Sequence, residues 1–335
     1  MDLIEWGVPV IEWLQARAWL HTPAEVFSTL GDVRFMILWI PPVAWGVDAR
    51  LGRRLLLAMT AWGAVNSLLK MAFAQPRPYW VSEAVEPIAA ESSFGFPSGH
   101  AAFAVCVWGA LALAVPRRWV RVLAAVMILG IGTSRVVLGV HWPADVIGGW
   151  LLGAGVLVIV TWADGGRRPG EHRSPLGAIG PVGDITTMFL GGVLPLALTA
   201  LVAGLAAPTD PTWLELGGRG SAAILPTSLV GAGALTGGFF GAVVGSAIAS
   251  ERRHPSPAGL SAEDRILRVV VGLAVIVLLA GALGGGIDAG ARAATPLAWL
   301  LGAATTWWVL DGAPRAFARL RLDGRKPGAN SRSTS

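Results

Sequence analysis

The sequence has very little cysteine and little charge. Cys106 is the single cysteine among 335 residues, which excludes an intramolecular disulfide and a cysteine metal site. Charged residues make up only 14% of the chain, whereas 54% are hydrophobic. This is too little charge to cover the surface of a water-soluble protein, so we predict an integral membrane protein.

The first residues lack the basic flank of a secretory signal. The sequence opens Met-Asp-Leu-Ile-Glu, and Glu5, Glu12 and Arg17 interrupt its first apolar stretch. A stretch of this kind is typical of a helix that lies in the membrane interface. We therefore predict an interfacial helix over residues 3–20.

Nine apolar segments predict an all-α, polytopic membrane helical bundle, although several are shorter than the ~20 residues of a straight span. They cover residues 33–47, 54–74, 101–116, 119–138, 144–162, 186–206, 223–249, 267–284 and 295–311. We expect a core of about five spans in residues 1–165 and about four further spans in residues 184–322. A basic linker, 166–183, separates them, and residues 323–335 have the composition of a disordered tail.

Arginine clusters orient the bundle. They occur at residues 50–54, 117–121, 167–173, 252–265 and 315–332, and they alternate with loops poor in Lys and Arg. The positive-inside rule places these clusters and the C-terminus in the cytoplasm, and the remaining loops outside a multi-pass cytoplasmic membrane. The net charge of +5 therefore reflects orientation in lipid, and no nucleic-acid partner is predicted.

One apolar segment carries a glycine at every fourth position. Gly233, Gly237, Gly241 and Gly245 would share one face of a helix and allow a second helix to approach closely. We expect packing at this face, including self-association into a homo-oligomer.

Two residues beside a predicted helix start form a candidate catalytic pair. Pro143 suits the first position of a helix, which leaves His141 just before the helix and Asp145 in its first turn. Asp145 would accept a hydrogen bond from one ring nitrogen of His141 and fix the tautomer. The other nitrogen then presents its lone pair as a nucleophile.

The segment Pro97-Ser98-Gly99-His100 precedes another apolar stretch and predicts a second helix N-terminus. Backbone N–H groups of Ser98 and Gly99 would cradle a phosphate. His100, with an ordinary pKa of ~6.5, would protonate a leaving alkoxide as a general acid.

Three cations complete the predicted site. Lys70 ends one apolar segment, Arg77 follows seven residues later before Pro78, and Arg135 lies near the end of another segment. Together they would bind the non-bridging oxygens of a phosphate during transfer. We therefore predict no metal and no cofactor.

Each residue also has a simpler explanation, since Lys70 or Arg77 alone could be an anchor at the membrane interface. The functional interpretation depends on all of these groups occurring together, because the ends of four predicted spans carry them on one side of the membrane. Trp80 and Trp142 are predicted to belong to the interfacial aromatic belt.

The motifs resemble those of the type 2 phosphatidic acid phosphatases, the membrane branch of the lipid phosphate phosphatase and vanadium haloperoxidase superfamily. That family's pattern is Lys-x6-Arg-Pro, Pro-Ser-Gly-His and Ser-Arg-x5-His-x3-Asp. This chain matches it without a substitution at Lys70, Arg77, Pro78, Pro97, Ser98, Gly99, His100, Ser134, Arg135, His141 and Asp145. The resemblance covers roughly residues 1–165.

The resemblance implies a helical core in which His141 forms a phosphohistidine, His100 protonates the departing alcohol and Asp145 supports His141. It also implies that the phosphate is bound by Lys70, Arg77, Ser98, Gly99 and Arg135. The expected substrate is a lipid phosphate or a polyprenyl diphosphate, with membrane lipids as surroundings. Two alternatives stay open: a vanadate-dependent haloperoxidase, and a lipid-phosphate transporter or flippase that only binds at this site.

Overall fold

The computed structural model describes residues 3–165, 192–205, 210–220, 224–252, 257–284 and 294–322. The described residues are organised as helices. The N-terminal half contains α1 (Leu3–Gln15), α2 (His21–Leu30), α3 (Val33–Pro42), α4 (Ala49–Phe73), α5 (Pro78–Val81), α6 (Gly99–Ala104), α7 (Ala110–Ala114), α8 (Arg118–Val137) and α9 (Pro143–Gly165). The C-terminal half contains α10 (Leu194–Leu205), α11 (Pro211–Gly217), α12 (Val230–Arg252), α13 (Ala262–Gly284), α14 (Ala294–Trp307) and α15 (Ala313–Arg319).

Local sequence signals explain where the main helices begin and end. The Asp48 carboxylate accepts hydrogen bonds from the N–H groups of Arg50 (2.7 Å) and Leu51 (3.0 Å), which caps α4. The same helix ends at Phe73, and the next residue, Ala74, has a left-handed φ of 45°. The predicted helix starts after Ser98 and at Pro143 are confirmed, since α6 begins at Gly99 and α9 at Pro143.

The described helices support a multi-pass membrane protein. Four of them are long and apolar enough to cross a membrane. A fifth span results if the bent pair Ala18–Leu30 and Val33–Val47 is counted as one. The four helices cover Ala49–Val81, Arg118–Val137, Pro143–Ala163 and Val230–Ala249. The all-α prediction is confirmed, whereas the expected total of nine spans stays a prediction.

The N-terminal region differs from its prediction. Residues 3–20 do not form one helix, because α1 ends at Gln15 and a short 3-10 turn, Ala18–Leu20, leads into α2. The α2 helix was not expected, and it meets the following helix at a bend of 52°. Gly31 lies at this bend, where an added Cβ would come within 2.4 Å of Ile131.

The two halves of the chain share one hydrophobic core. Its buried members include Met36, Trp62 and Ala102 from the first half and Ala242 and Phe317 from the second. The α4 helix packs against α9 of the first half and against α10 and α12 of the second. The C-terminal helices therefore cover a face of the helix that carries Lys70.

The glycine-rich face of α12 packs against a helix of the same chain. Added Cβ atoms at Gly233, Gly237 and Gly241 would lie 2.0–2.7 Å from backbone oxygens of α14. The expected close approach is confirmed, but its partner is intramolecular, so these glycines are no basis for a homo-oligomer. Self-association stays a prediction. The predicted linker 166–183 and tail 323–335 lie outside the described residues.

Candidate active site

The predicted motifs meet at one end of the helix bundle. Lys70 lies in the last turn of α4 and Arg135 in the last turn of α8, while α6 and α9 begin there. The arginines of residues 50–54 and 117–121 lie at the opposite ends of α4 and α8. The charged and polar groups at the motif end are buried: Lys70, Arg77, Ser98, Arg135, His141 and Asp145.

His141 is bound on both sides of its ring. Its Nδ1 lies 3.1 Å from Asp145 Oδ2, and its Nε2 lies 3.2 Å from Arg77 Nη1. A guanidinium can only donate, so Nε2 must accept and Nδ1 must carry the proton. The geometry therefore selects the tautomer in which Nδ1–H donates to Asp145 and Nε2 holds the lone pair.

Asp145 is fixed by two further donors. The Trp142 N–H donates to Oδ2 (3.0 Å), and Gln75 Nε2 donates to Oδ1 (3.1 Å). With the His141 ring, these bonds give both carboxylate oxygens a partner, as a buried carboxylate requires. Gln75 was missed by the sequence analysis, and only its position in Gln-Pro-Arg-Pro could have indicated a role.

A tight turn at Gly139 positions His141 in the site. Gly139 has a φ of 75°, and an added Cβ would lie 2.4 Å from the Glu86 carbonyl oxygen. Only glycine fits that combination of backbone angle and close approach. The Arg135 carbonyl then accepts hydrogen bonds from the N–H groups of Val140 and His141, both at 3.2 Å.

Burial keeps His141 neutral. The loss of hydration is the largest effect that lowers the pKa of His141 well below its usual value, followed by the positive charges of Arg77 and Lys70. The imidazole is therefore unprotonated at neutral pH, as a nucleophilic nitrogen must be.

Arg77 and Lys70 bind the loop that precedes α6. Arg77 donates to the Ser93 carbonyl (2.6 Å), the Phe94 carbonyl (3.1 Å) and the Val140 carbonyl (2.7 Å). Lys70 donates to the carbonyls of Phe94 and Gly95. Both cations are thus held by backbone oxygens beside His141, and this loop was not recognised from the sequence.

Arg135 is paired with a carboxylate that the sequence analysis did not single out. Its Nη2 donates to Glu91, and its Nη1 donates to the Ser28 hydroxyl. Arg135 has the largest share in holding the pKa of Glu91 down at about 2, against the opposing effect of burial. Glu91 is therefore ionised at every pH of practical interest.

The cradle at the start of α6 differs in part from its prediction. The Ser98 N–H is not free, because it donates to the Asp145 carbonyl at 3.0 Å, and the Ser98 hydroxyl caps α6 at Ala101. Gly99 is the first residue of α6, a position without an intrahelical acceptor. His100 is half-buried, and its ring makes no hydrogen bond to the described residues.

Two tryptophans predicted for the interfacial belt are buried instead. Trp80 is 0% and Trp142 2% exposed. Trp142 Nε1 donates to the Pro76 carbonyl at 3.0 Å, which ties the start of α9 to the segment that carries Gln75 and Arg77. These rings therefore belong to the framework of the site.

Together these features define a class: a multi-pass helical membrane protein with a buried histidine–aspartate pair among three cations. Comparisons with known proteins agree. Residues 51–169 match the family described as the PAP2 superfamily. Residues 233–326 match the one described as PAP2 superfamily phosphatase, transmembrane extension. The chain belongs to the PAP2 superfamily of phosphatases.

Individual relatives cover different shares of the chain. Phosphatidylglycerophosphatase B of Bacillus subtilis (strain 168) is 34% identical over 161 residues, which is 44% of this chain and 77% of that protein. Undecaprenyl-diphosphatase of Sulfolobus acidocaldarius is 31% identical over 122 residues, 35% of this chain and 59% of that protein. This chain is also similar to the crystal structure of a transmembrane PAP2-type phosphatidylglycerolphosphate phosphatase from Bacillus subtilis. The matched region covers 49% of this chain and 88% of the chain in that structure. Its sequence identity is 28% and its TM-score 0.40.

Proposed function

We propose that this protein hydrolyses a lipid phosphate or a polyprenyl diphosphate on the extracytoplasmic face of the cytoplasmic membrane, through a phosphohistidine at His141 and without a metal. The observation that carries the proposal is the orientation of His141. Its Nδ1 faces Asp145 Oδ2 at 3.1 Å, and its Nε2 accepts from Arg77 at 3.2 Å. A neutral imidazole with its lone pair beside a cation is arranged to attack phosphorus.

In the first step, Nε2 of His141 forms a bond to phosphorus while the bond from phosphorus to the ester or diphosphate oxygen breaks. The departing oxygen takes a proton from His100. Asp145 keeps its hydrogen bond to Nδ1–H and offsets the positive charge that develops on the ring. The products of this step are the dephosphorylated lipid and phospho-His141.

In the second step, water attacks the phosphorus and the P–N bond breaks. His100, now neutral, accepts a proton from that water as a general base. Inorganic phosphate leaves, and His141 returns to its Nδ1–H tautomer. His100 lies at the start of α6, and its ring makes no hydrogen bond to the described residues. Burial, followed by the positive charge of Arg135, lowers the pKa of His100 well below its usual value, so we expect it to take up its proton only when an anionic phosphate enters the site.

Lys70, Arg77 and Arg135 would supply the positive charge for the phosphoryl oxygens. Arg77 Nη1 already lies beside the nucleophilic nitrogen, so a small movement transfers that donor from the lone pair to a phosphate oxygen. Ser98 and Gly99 at the start of α6 would add the helix N-terminus as an anion site. Three cations at one site stabilise a phosphoryl group much as a divalent metal does elsewhere.

The membrane setting supports a lipid substrate. The site lies at the ends of α4 and α8, opposite the arginine-rich ends that the positive-inside rule assigns to the cytoplasm. A substrate with a charged head and an apolar tail can keep the tail in the bilayer at such a position. The named substrates of the two relatives, a phosphatidylglycerol phosphate and undecaprenyl diphosphate, are of this type.

The test is phosphate release in detergent with EDTA present, from a panel of phosphatidic acid, phosphatidylglycerol phosphate and undecaprenyl diphosphate. We expect the purified protein to release phosphate from at least one of them. His141→Ala should abolish release, while the matched variant His21→Ala, which changes a histidine outside the site, should retain it. Dependence on an added metal, or release by His141→Ala, would contradict the proposal.

Two other outcomes identify the alternative functions. Binding of lipid phosphate without release, together with movement of lipid between leaflets, would favour a transporter. Oxidation of bromide by peroxide in the presence of vanadate would favour a haloperoxidase. Neither alternative forms the dephosphorylated lipid as a product, so chromatography of the lipid phase separates the phosphatase from both of them.

A further inference from the structure

The loop that binds Arg77 and Lys70 is also bound from its other side. We call residues 82–98, between α5 and α6, the active-site loop. On its inner side, the carbonyls of Ser93, Phe94 and Gly95 accept from the two cations beside His141. On its outer side lies α11 with the residues that follow it, which belong to the C-terminal half.

Arg219 makes several hydrogen bonds between the C-terminal half and this outer side of the active-site loop. Its Nη2 donates to the carbonyls of Tyr79 and Ser82, both at 2.9 Å, and its Nη1 donates to the carbonyl of Glu83 at 3.1 Å. Its Nε donates back to the carbonyl of Leu216 at 3.0 Å, which fixes the guanidinium relative to α11. The planar guanidinium thus binds both α5 and the start of the active-site loop.

Other contacts join the same two segments independently of Arg219. The Leu225 N–H donates to the Ser92 carbonyl at 3.0 Å. The Trp213 ring lies 6.5 Å from the Trp80 ring, between centroids, at an interplanar angle of 32°. Added Cβ atoms at Gly217 and Gly220 would lie 2.9 Å from Trp80 and 3.0 Å from Ala90. The C-terminal segment therefore contacts α5 through Trp80 and the active-site loop at Ala90 and Ser92.

A short series of bonds leads from Arg219 to the catalytic cations. Arg219 holds the Tyr79 carbonyl, and the Tyr79 hydroxyl donates to the Glu91 carbonyl and accepts from the Glu91 N–H, both at 3.0 Å. The Glu91 side chain in turn pairs with Arg135. Ser93 and Phe94, the acceptors of Arg77, follow within three residues.

We propose that the C-terminal half acts as an external support of the active site and that Arg219 is its positioning residue. Arg219 holds the active-site loop so that the loop carbonyls keep Arg77 and Lys70, and Glu91 keeps Arg135, in place for the phosphate. The inference rests on the proposed function of the site. It gives α11 and the residues that follow it, which precede the matched transmembrane extension of residues 233–326, a task in the reaction.

The first measurement is hydrogen exchange of the active-site loop in the full-length protein in detergent. The N–H groups of Glu91 and Gly95 are bonded, to the Tyr79 hydroxyl and the Gln75 carbonyl, so their exchange reports the loop's order. We expect Arg219→Gln to accelerate exchange of residues 82–98. Glu215→Gln, which changes an exposed charge on α11 four residues before Arg219, should leave that exchange unchanged. Trp213→Ala supplies a second, independent perturbation and should act in the same direction as Arg219→Gln.

The second measurement is turnover of the best lipid phosphate by the same variants. A shift of catalytic groups by an ångström costs on the order of 100-fold, so we expect Arg219→Gln to lower kcat/KM by about 10- to 100-fold, mainly through kcat. Arg219→Lys should recover only part of this loss, because one ammonium cannot reach three carbonyls at once. Complete rescue by Lys would show that charge alone matters and would overturn the positioning role.

The two readouts separate the possible failures. Unchanged exchange in Arg219→Gln, or faster exchange with unchanged kcat/KM, would overturn the inference. A wild-type protein that releases no phosphate from any lipid would refute the proposed function instead. In that case, the binding of orthovanadate, measured as a shift in Tm, takes the place of turnover. Weaker vanadate binding by Arg219→Gln than by Glu215→Gln would then favour Arg219 as a positioning residue. Equal binding by the two variants would overturn that role.

Discussion

His141 and Asp145 are separated by one helical turn, and their side chains meet at 3.1 Å between Nδ1 and Oδ2. The pair spans the start of α9, so its geometry follows from the point at which that helix begins. The Trp142 N–H donates to the same carboxylate oxygen. Helix start, tautomer and nucleophile are therefore determined by one local arrangement.

Replacing Asp145 by Asn should impair turnover far more than folding. An amide retains hydrogen-bonding groups at the position of the carboxylate but lacks the charge that stabilises a positive ring. We expect kcat to fall by up to roughly 10⁴-fold, the loss caused by the analogous change in a serine protease triad. Steady-state kinetics with the preferred lipid phosphate measure this effect. A loss of less than tenfold would mean that Asp145 has no electrostatic part in the reaction.

The pH dependence of kcat/KM should report the lowered pKa of His141. The nucleophile must be unprotonated and the general acid His100 protonated, so the profile is bell-shaped and its rising limb follows the pKa of His141. Because burial and then Arg77 lower that pKa, the rise should have its midpoint below the ordinary histidine value of ~6.5. The ionisation of the substrate phosphate is measured separately by titration and subtracted. A midpoint above that value would contradict a nucleophile held neutral by burial.

Replacing Glu91 by Gln should destabilise the protein, since the buried Arg135 would lose its charged partner. An unpaired buried group of this kind costs roughly 1–3 kcal/mol. Unfolding in detergent should show the loss, and Glu86→Gln, an exposed carboxylate in the same loop, should not. Equal stability of the two variants would mean that water or lipid replaces Glu91 at no cost.

Replacing Gly139 by Ala should damage both stability and turnover. The left-handed backbone alone costs about 1–2 kcal/mol for a residue with a Cβ. That Cβ would also lie 2.4 Å from the Glu86 carbonyl, so the turn before His141 must shift. Gly155→Ala is the matched control, because no heavy atom lies within 4 Å of its added Cβ. Wild-type kcat in Gly139→Ala would show that the turn does not position the nucleophile.

Local signals explain the part of the structure that the sequence predicts well. Pro143 starts α9 and Ser98 caps α6 because both preferences depend on the adjacent backbone alone. The convergence of Lys70, Arg135 and His141 follows from alternation of the spans across the membrane. Spacing and topology together therefore locate the site, and no longer-range information is needed.

Contacts between distant segments were not predictable in the same way. Glu91 and Gln75 have no periodic or capping signal, and their partners, Arg135 and Asp145, are 44 and 70 residues away. The Ser98 N–H, which was expected to be free, donates instead to the Asp145 carbonyl of α9. The glycine spacing in α12 predicts that another helix packs closely against it. That spacing does not indicate whether the neighbouring helix belongs to the same chain.

The central claim is that His141 carries the phosphoryl group. Rapid acid-free quenching of the wild-type protein with lipid phosphate labelled in the terminal phosphate should trap a phosphoenzyme that is stable in alkali and labile in acid. Mass spectrometry should locate the phosphate on the peptide that contains His141, and His141→Ala should carry none. Label on another residue, or turnover without any phosphoenzyme under conditions that trap a control phosphohistidine, would contradict the account.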